Sequence, residues 1–156
     1  MNYWDTIRIG EKVEIGAHRF DAADIKRFAE KFDPQPFHLD EEAAHDSVLG
    51  GLCASGWHTT AVWMRLNVDS QTARMGAFVA AGNPAPKVGP SPGVKNIRWP
   101  KPVHAGDTVT FTQHVTAKRK LASRPGWGVV EFTCEAVNQD GERVFSFDGA
   151  AFYGTD

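Results

Sequence analysis

A carboxylate and an imidazole stand five positions apart in Phe32-Asp33-Pro34-Gln35-Pro36-Phe37-His38-Leu39-Asp40, and two prolines stiffen the chain between them. Stiff backbone holds two side chains in fixed mutual positions, which is what an acid/base pair acting on one water molecule needs. The same residues have a plainer use, with Asp33 ending a helix and His38 packing on a surface. Spacing alone favours the plainer use. Further along, Gly50-Gly51-Leu52-Cys53-Ala54-Ser55-Gly56-Trp57-His58 leads into a strongly apolar segment. A glycine that opens a helix leaves its N–H free at the positive end of the helix dipole, where a carbonyl oxygen gaining negative charge is stabilised. Gly56 also has a steric use, since a missing side chain lets a helix pack closely on a sheet.

Other chemistry is less well supported. His38, Asp40, His45, Cys53 and His58 match no zinc or iron spacing, so no metal is expected. Ser55 lacks the Gly-x-Ser-x-Gly turn of an acyl-enzyme nucleophile. His58, two residues past Gly56, either lines a pocket or is a core or interface histidine, and Trp57, Trp63, Trp99 and Trp127 either line an acyl tunnel or fill cores. Lys118-Arg119-Lys120 either meets phosphates or caps a solvated strand end, and the glycines of residues 82–93 lack the Gly-Lys-Ser/Thr ending of a phosphate loop. Cys53 and Cys134 lie far apart and read as small buried apolar residues.

The elements that must hold these residues follow from periodicity. Val13 and Ile15 alternate with charges in a strand over Lys12–Phe20, and Asp21 then caps a helix with an apolar stripe of Ile25, Phe28, Ala29 and Phe32. Asp33-Pro34 ends that helix, and Asp40 caps a second, short one, so 33–40 is expected as a rigid irregular loop. From Ser55 to about Val68 the sequence is apolar nearly all round, which predicts a central helix with Ala61 and Met64 buried. A Gly/Pro connection at 82–93 precedes a short strand from Val94 to Pro100, a turn at His104–Asp107, and three long strands. The last two are joined by a hairpin turn at Asn138-Gln139-Asp140-Gly141. The sum is an α+β fold, a twisted antiparallel sheet of about five strands with one long helix on its concave face.

The 156 residues, 42% hydrophobic and 23% charged, fit a single domain over 1–156. A net charge of −2 without a long basic run speaks against nucleic-acid binding. No apolar run approaches the roughly 20 residues of a membrane helix, and the charged N-terminal stretch is unlike a signal peptide, so a cytoplasmic protein is expected.

Three segments carry a family resemblance: F-A-x-x-F-D-P-Q-P-F-H-L-D, A-S-G-W-H-T and I-R-W-P-K-P-V-H-A-G-D-T-V. From about Phe20 to Tyr153 the chain resembles the MaoC-like hydratases, which include the (R)-specific enoyl-CoA hydratases and have the hot-dog fold. The resemblance implies that Asp33 and His38 are the catalytic pair and that the Gly56 N–H contacts a thioester carbonyl. Gln35, Ser55, Trp57 and His58, next to these residues in sequence, are the candidate substrate contacts. The implied reaction is syn addition of water to a 2-enoyl thioester of coenzyme A or acyl carrier protein, giving an (R)-3-hydroxyacyl product without a cofactor. A homodimer or a multiple of it is expected, because the sheet leaves an edge strand and an apolar flank to cover. Two positions depart from the family pattern: Gln35 stands where Asn is usual, and Ser55 where His is usual. A hot-dog acyl-CoA thioesterase and a non-catalytic acyl-thioester-binding subunit are the alternatives.

Overall fold

The computed structural model describes all of residues 1–156. A one-turn helix α1 (Tyr3–Thr6) precedes β1 (Lys12–Arg19), followed by α2 (Ala22–Phe32), α3 (Pro36–Leu39), α4 (Glu41–His45) and α5 (Gly56–Ala80). Strands β2 (Val94–Arg98), β3 (Thr108–Lys120), β4 (Trp127–Val137) and β5 (Arg143–Gly154) complete the chain. The five strands form one antiparallel sheet in the order β1-β3-β4-β5-β2. The α+β architecture expected from periodicity is therefore present. Side chains alternate across it: Val109, Phe111, Cys134, Ala136, Phe145 and Phe147 turn inward and are buried. Each large one contributes about 1.5–3 kcal/mol by leaving water. Both cysteines are free and buried, and no helix is long and apolar enough to cross a membrane.

Helix α5 lies on the inner face and differs from expectation in two ways. It runs to Ala80 instead of stopping near Val68, because Gly76 is the only glycine or proline between Asp69 and Gly82 and a single glycine costs only about 1 kcal/mol. It is also not central in the sense of being covered all round. Thr59, Trp63 and Asn67, spaced four apart, face the sheet and are buried. Trp63 packs edge-on against Phe147 and donates its indole N–H to Gln113 Oε1 at 3.2 Å, and Gln113 in turn donates to Asn67 Oδ1. Ala61 and Met64 are exposed, contrary to expectation, along with Trp57 and Val68. A single curved sheet covers one side of a helix, so the apolar residues opposite lie uncovered.

The elements ahead of α5 follow their local signals closely. Asp21 Oδ1 accepts from Asp24 N–H at 2.8 Å to start α2, and Asp40 Oδ2 accepts from Ala43 N–H to start α4. Ile25 and Ala29 are fully buried, whereas Phe32 at the end of the expected stripe is 69% exposed. The Asn138–Gly141 turn forms as read, with Gly141 at φ 76° and Asn138 Oδ1 accepting from the N–H groups of Asp140 and Glu142. The Gly/Pro connection lies along β5 through Gly89 N–H to Phe152 O and Gly154 N–H to Lys87 O.

Candidate active site

Asp33 is the C-cap of α2, and its N–H donates to Ala29 O at 2.9 Å. Pro34 cannot extend the helix and forces the preceding residue out of helical geometry. Gln35 N–H then closes on Asp33 O, and Pro36, acceptable as a first helical residue, begins α3. The segment expected as an irregular loop thus contains one helical turn. That turn carries His38 back toward Asp33, so that His38 Nε2 lies 3.4 Å from Asp33 Oδ2.

The other ring nitrogen fixes the tautomer. His38 Nδ1 is 2.6 Å from the backbone oxygen of Cys53, and a carbonyl only accepts, so Nδ1 carries the hydrogen. In neutral His38, Nε2 is therefore an acceptor facing the carboxylate, a second acceptor. One water donating a hydrogen to each satisfies both. Cys53 is held in place by pairing of its segment with residues 103–105: Ala54 N–H donates to Val103 O at 2.8 Å and Ala105 N–H to Leu52 O at 2.9 Å.

Asp33 is kept ionised. Partial burial pushes its carboxyl up, but hydrogen bonds from Ser55 and Gln35, with the His38 ring beside it, bring it below the usual carboxylate value. Gln35 Nε2 donates to Oδ1 at 2.6 Å, leaving Oδ2 for His38. Ser55 is almost fully buried and also caps α5, its hydroxyl accepting from Trp57 N–H at 3.2 Å. Ser55 thus favours the charge on the carboxylate and caps the first turn of α5.

Gly56 is the first residue of α5, so its N–H has no acceptor within the helix, and no loop carbonyl takes it. Its steric role is also real, but the neighbour is not the sheet. A Cβ here would lie 2.5 Å from Cδ2 and Cε2 of Trp99, so the indole face rests directly on the glycine. Trp57, 57% exposed, meets Trp99 edge to face at 5.1 Å.

Of the two readings of His58, the structure shows the packed core histidine. It is buried, stacked on Phe28 at 4.7 Å and edge-on to Phe20, and its Nδ1 has no hydrogen-bond partner. Burial first, and His18 beside it second, push its pKa down to about 4 against the pull of Asp21. The position after Gly56 and Trp57 turns toward α2, where aromatic packing takes the ring. Of the basic cluster, Lys118 is engaged by the N-terminal turn, donating to Trp4 O and Ile7 O at 2.8 Å over the Trp4 ring. Arg119 lines a cleft of about 1110 Å³ on the outer face of the sheet, whose walls contain none of the residues around Asp33.

The MaoC like domain model matches residues 5–132. The chain belongs to the MaoC-like dehydratase family. It is 36% identical to a MaoC-like dehydratase from Rhodospirillum rubrum whose crystal structure superposes with a TM-score of 0.81, covering 99% of this chain and 97% of that one. An Archaeoglobus protein described as a monoamine oxidase regulatory protein is 30% identical, with a TM-score of 0.73 and 99% and 95% coverage. The (R)-hydratase from A. caviae, at 20% identity, shares the fold at a TM-score of 0.67 over 94% of this chain and 96% of its own. Among sequences, the uncharacterized protein YdeM of Bacillus subtilis (strain 168) is 28% identical over 141 residues, 90% of this chain and 91% of its own length. The curved five-stranded sheet around α5 is the hot-dog fold of these structures.

The two departures in this MaoC-like chain have structural uses. Gln35 reaches Asp33 from two residues away, and Ser55 supplies a hydroxyl to the same carboxylate. Cys53 takes part through its carbonyl, which leaves no trace in residue type. Trp99, one of the tryptophans read as lining a tunnel or filling a core, stands inside the W-P-K-P segment of the third resembling motif and rests on Gly56.

Proposed function

We propose that this MaoC-like protein adds water across the C2–C3 double bond of a 2-enoyl pantetheine thioester, or removes it from the 3-hydroxyacyl thioester. The observation that carries this is the facing pair of acceptors, His38 Nε2 and Asp33 Oδ2, 3.4 Å apart with Nδ1 tied to Cys53 O. Such a pair binds one water through both hydrogens and aims its oxygen lone pair outward. As that oxygen bonds to C3, its proton passes to His38 Nε2, and the electron pair of the double bond moves onto C2 and the thioester oxygen. Ionised Asp33 beside the ring stabilises the imidazolium, and the pair then delivers a proton to C2. The Gly56 N–H, at the positive end of α5, meets the charge on the thioester oxygen. By microscopic reversibility the same groups serve dehydration. Syn addition fits a water held on one side of the acyl plane.

The functional unit is a homodimer. The stripe of Trp57, Ala61, Met64 and Val68 on α5, spaced four, three and four apart, lies uncovered, and β2 is a short edge strand at one end of the sheet. A second copy covers both by a two-fold contact.

Crotonyl-CoA tests the activity: the enone absorbance should fall without release of free thiol. Asp33→Asn and His38→Ala should each lower turnover by about a hundredfold or more, on the order of 3 kcal/mol in barrier. The double variant should be little worse than the poorer single one. Thiol release at the rate of enone loss would make the protein a thioesterase, and near-normal hydration by folded Asp33→Asn would remove the pair from the mechanism.

A further inference from the structure

Trp99 lies against the start of α5, where the Gly56 N–H is free one residue past Ser55. The Cδ2 and Cε2 atoms of its ring fusion are equally close, 2.5 Å, to the position a Gly56 Cβ would take, and Nε1 is 2.8 Å from the same point. Fusion atoms are nearest only when a ring lies face-on, so the five-membered half of the indole covers Gly56 and brings its N–H alongside the glycine backbone. Trp99 is 38% exposed. Its Nε1–H has no partner in the protein, unlike that of Trp63, which is taken by Gln113. Its mount is rigid. Pro100 and Pro102 follow it, and residues 103–105 pair with 52–54, while the His104 ring is 3.0 Å from Leu49 O. The strand-like segment that carries the Cys53 carbonyl and leads into Gly56 is therefore bonded to the one that carries Trp99.

Two unpaired N–H donors, one from the backbone and one from a side chain, thus belong to residues in direct contact at the positive end of a helix. We propose that Trp99 is a catalytic residue, its Nε1–H donating the second hydrogen bond to the thioester oxygen beside that of Gly56 N–H. This rests on the hydration reading above. The thioester oxygen gains charge when C3 is attacked, and a donor fixed in advance meets that charge without reorganisation, so its effect appears in turnover more than in substrate binding. A tryptophan here also explains why position 56 has no side chain, since any Cβ would displace the donor.

Trp99→Phe keeps a flat ring on Gly56 and removes only the N–H. It should lower kcat for crotonyl-CoA by at least about tenfold with KM within about threefold, because loss of one such donor acts on the transition state. Trp99→Leu should be at least as slow. A second readout needs no turnover: acetoacetyl-CoA bound to the wild-type protein should show an enhanced enolate band in the ultraviolet, and Trp99→Phe should weaken it at saturating ligand. Circular dichroism and Tm confirm that the variants are folded. If wild-type protein hydrates crotonyl-CoA and Trp99→Phe matches its kcat within twofold, the donor role is wrong while the hydratase reading stands. If wild-type protein hydrates no enoyl thioester and does not enhance the enolate band, both fall together.

Discussion

Replacing Gly56 by Ala adds one methyl group to the most crowded point of the site. The new Cβ would lie 2.5 Å from two indole carbons of Trp99, whereas carbons in ordinary contact sit about 3.5–4.0 Å apart, so the ring must retreat by about 1 Å. Trp99 is partly exposed, and its retreat is not blocked by a sealed core. Stability should therefore change little: alanine is the better helix former by up to about 1 kcal/mol, which offsets part of the lost contact. Turnover should not survive as well, since a misplacement of about 1 Å near the reacting atoms costs on the order of a hundredfold. The backbone N–H of residue 56 is still present in the variant, so the loss would report the displaced ring rather than a missing amide. Hydration of crotonyl-CoA, measured beside Tm and tryptophan fluorescence, separates these effects. A folded Gly56→Ala protein with wild-type turnover would refute the placement of Trp99 at the reacting centre.

Met64→Asp should leave the chain folded and break the dimer, since Met64 is 49% exposed in the single chain and each copy would lose about 1.5–3 kcal/mol of apolar burial across a two-fold contact. Sedimentation at micromolar concentration should show a dimer for the wild type and a 17.1 kDa monomer for the variant, and a wild-type monomer would overturn the interface. His58 gives a pH dependence of stability. Its folded value, about 4, lies below the ordinary 6.5, so the unfolded chain takes up a proton that the folded one refuses between those limits. Its stabilisation is complete above pH 6.5 and falls as pH drops toward 4, by roughly 3 kcal/mol at most. His58→Phe, between Phe20 and Phe28, should flatten Tm over that window, and an unchanged slope would show that other groups set it. The crotonyl-CoA measurements on Asp33→Asn, His38→Ala and Trp99→Phe complete the set.

Local signals in this sequence act over a few residues, and what they govern was legible. Asp21 and Asp40 cap their helices, Asp33-Pro34 ends α2, Asn138 and Gly141 shape the hairpin turn, and alternation in β3, β4 and β5 sets which side chains face the core. The spacing of Asp33 and His38 across two prolines marked the candidate pair for the same reason, since stiff backbone translates short sequence separation into distance. The structure decided what depends on partners far along the chain. Which nitrogen of His38 carries the hydrogen is settled by the carbonyl of Cys53, and the ionised state of Asp33 owes as much to Ser55 as to its neighbour Gln35. Periodicity also could not say how much of α5 is covered. A stripe of apolar residues has the same composition whether it faces a sheet or a second molecule, so Ala61 and Met64 looked like core. His58 shows the limit most sharply: two positions past Gly56 in sequence, it turns through two residues of helix, away from the pair and into the aromatic packing of α2. Trp99 and Gly56 are 43 residues apart, and only the pairing of residues 52–54 with 103–105 lays the indole on the glycine.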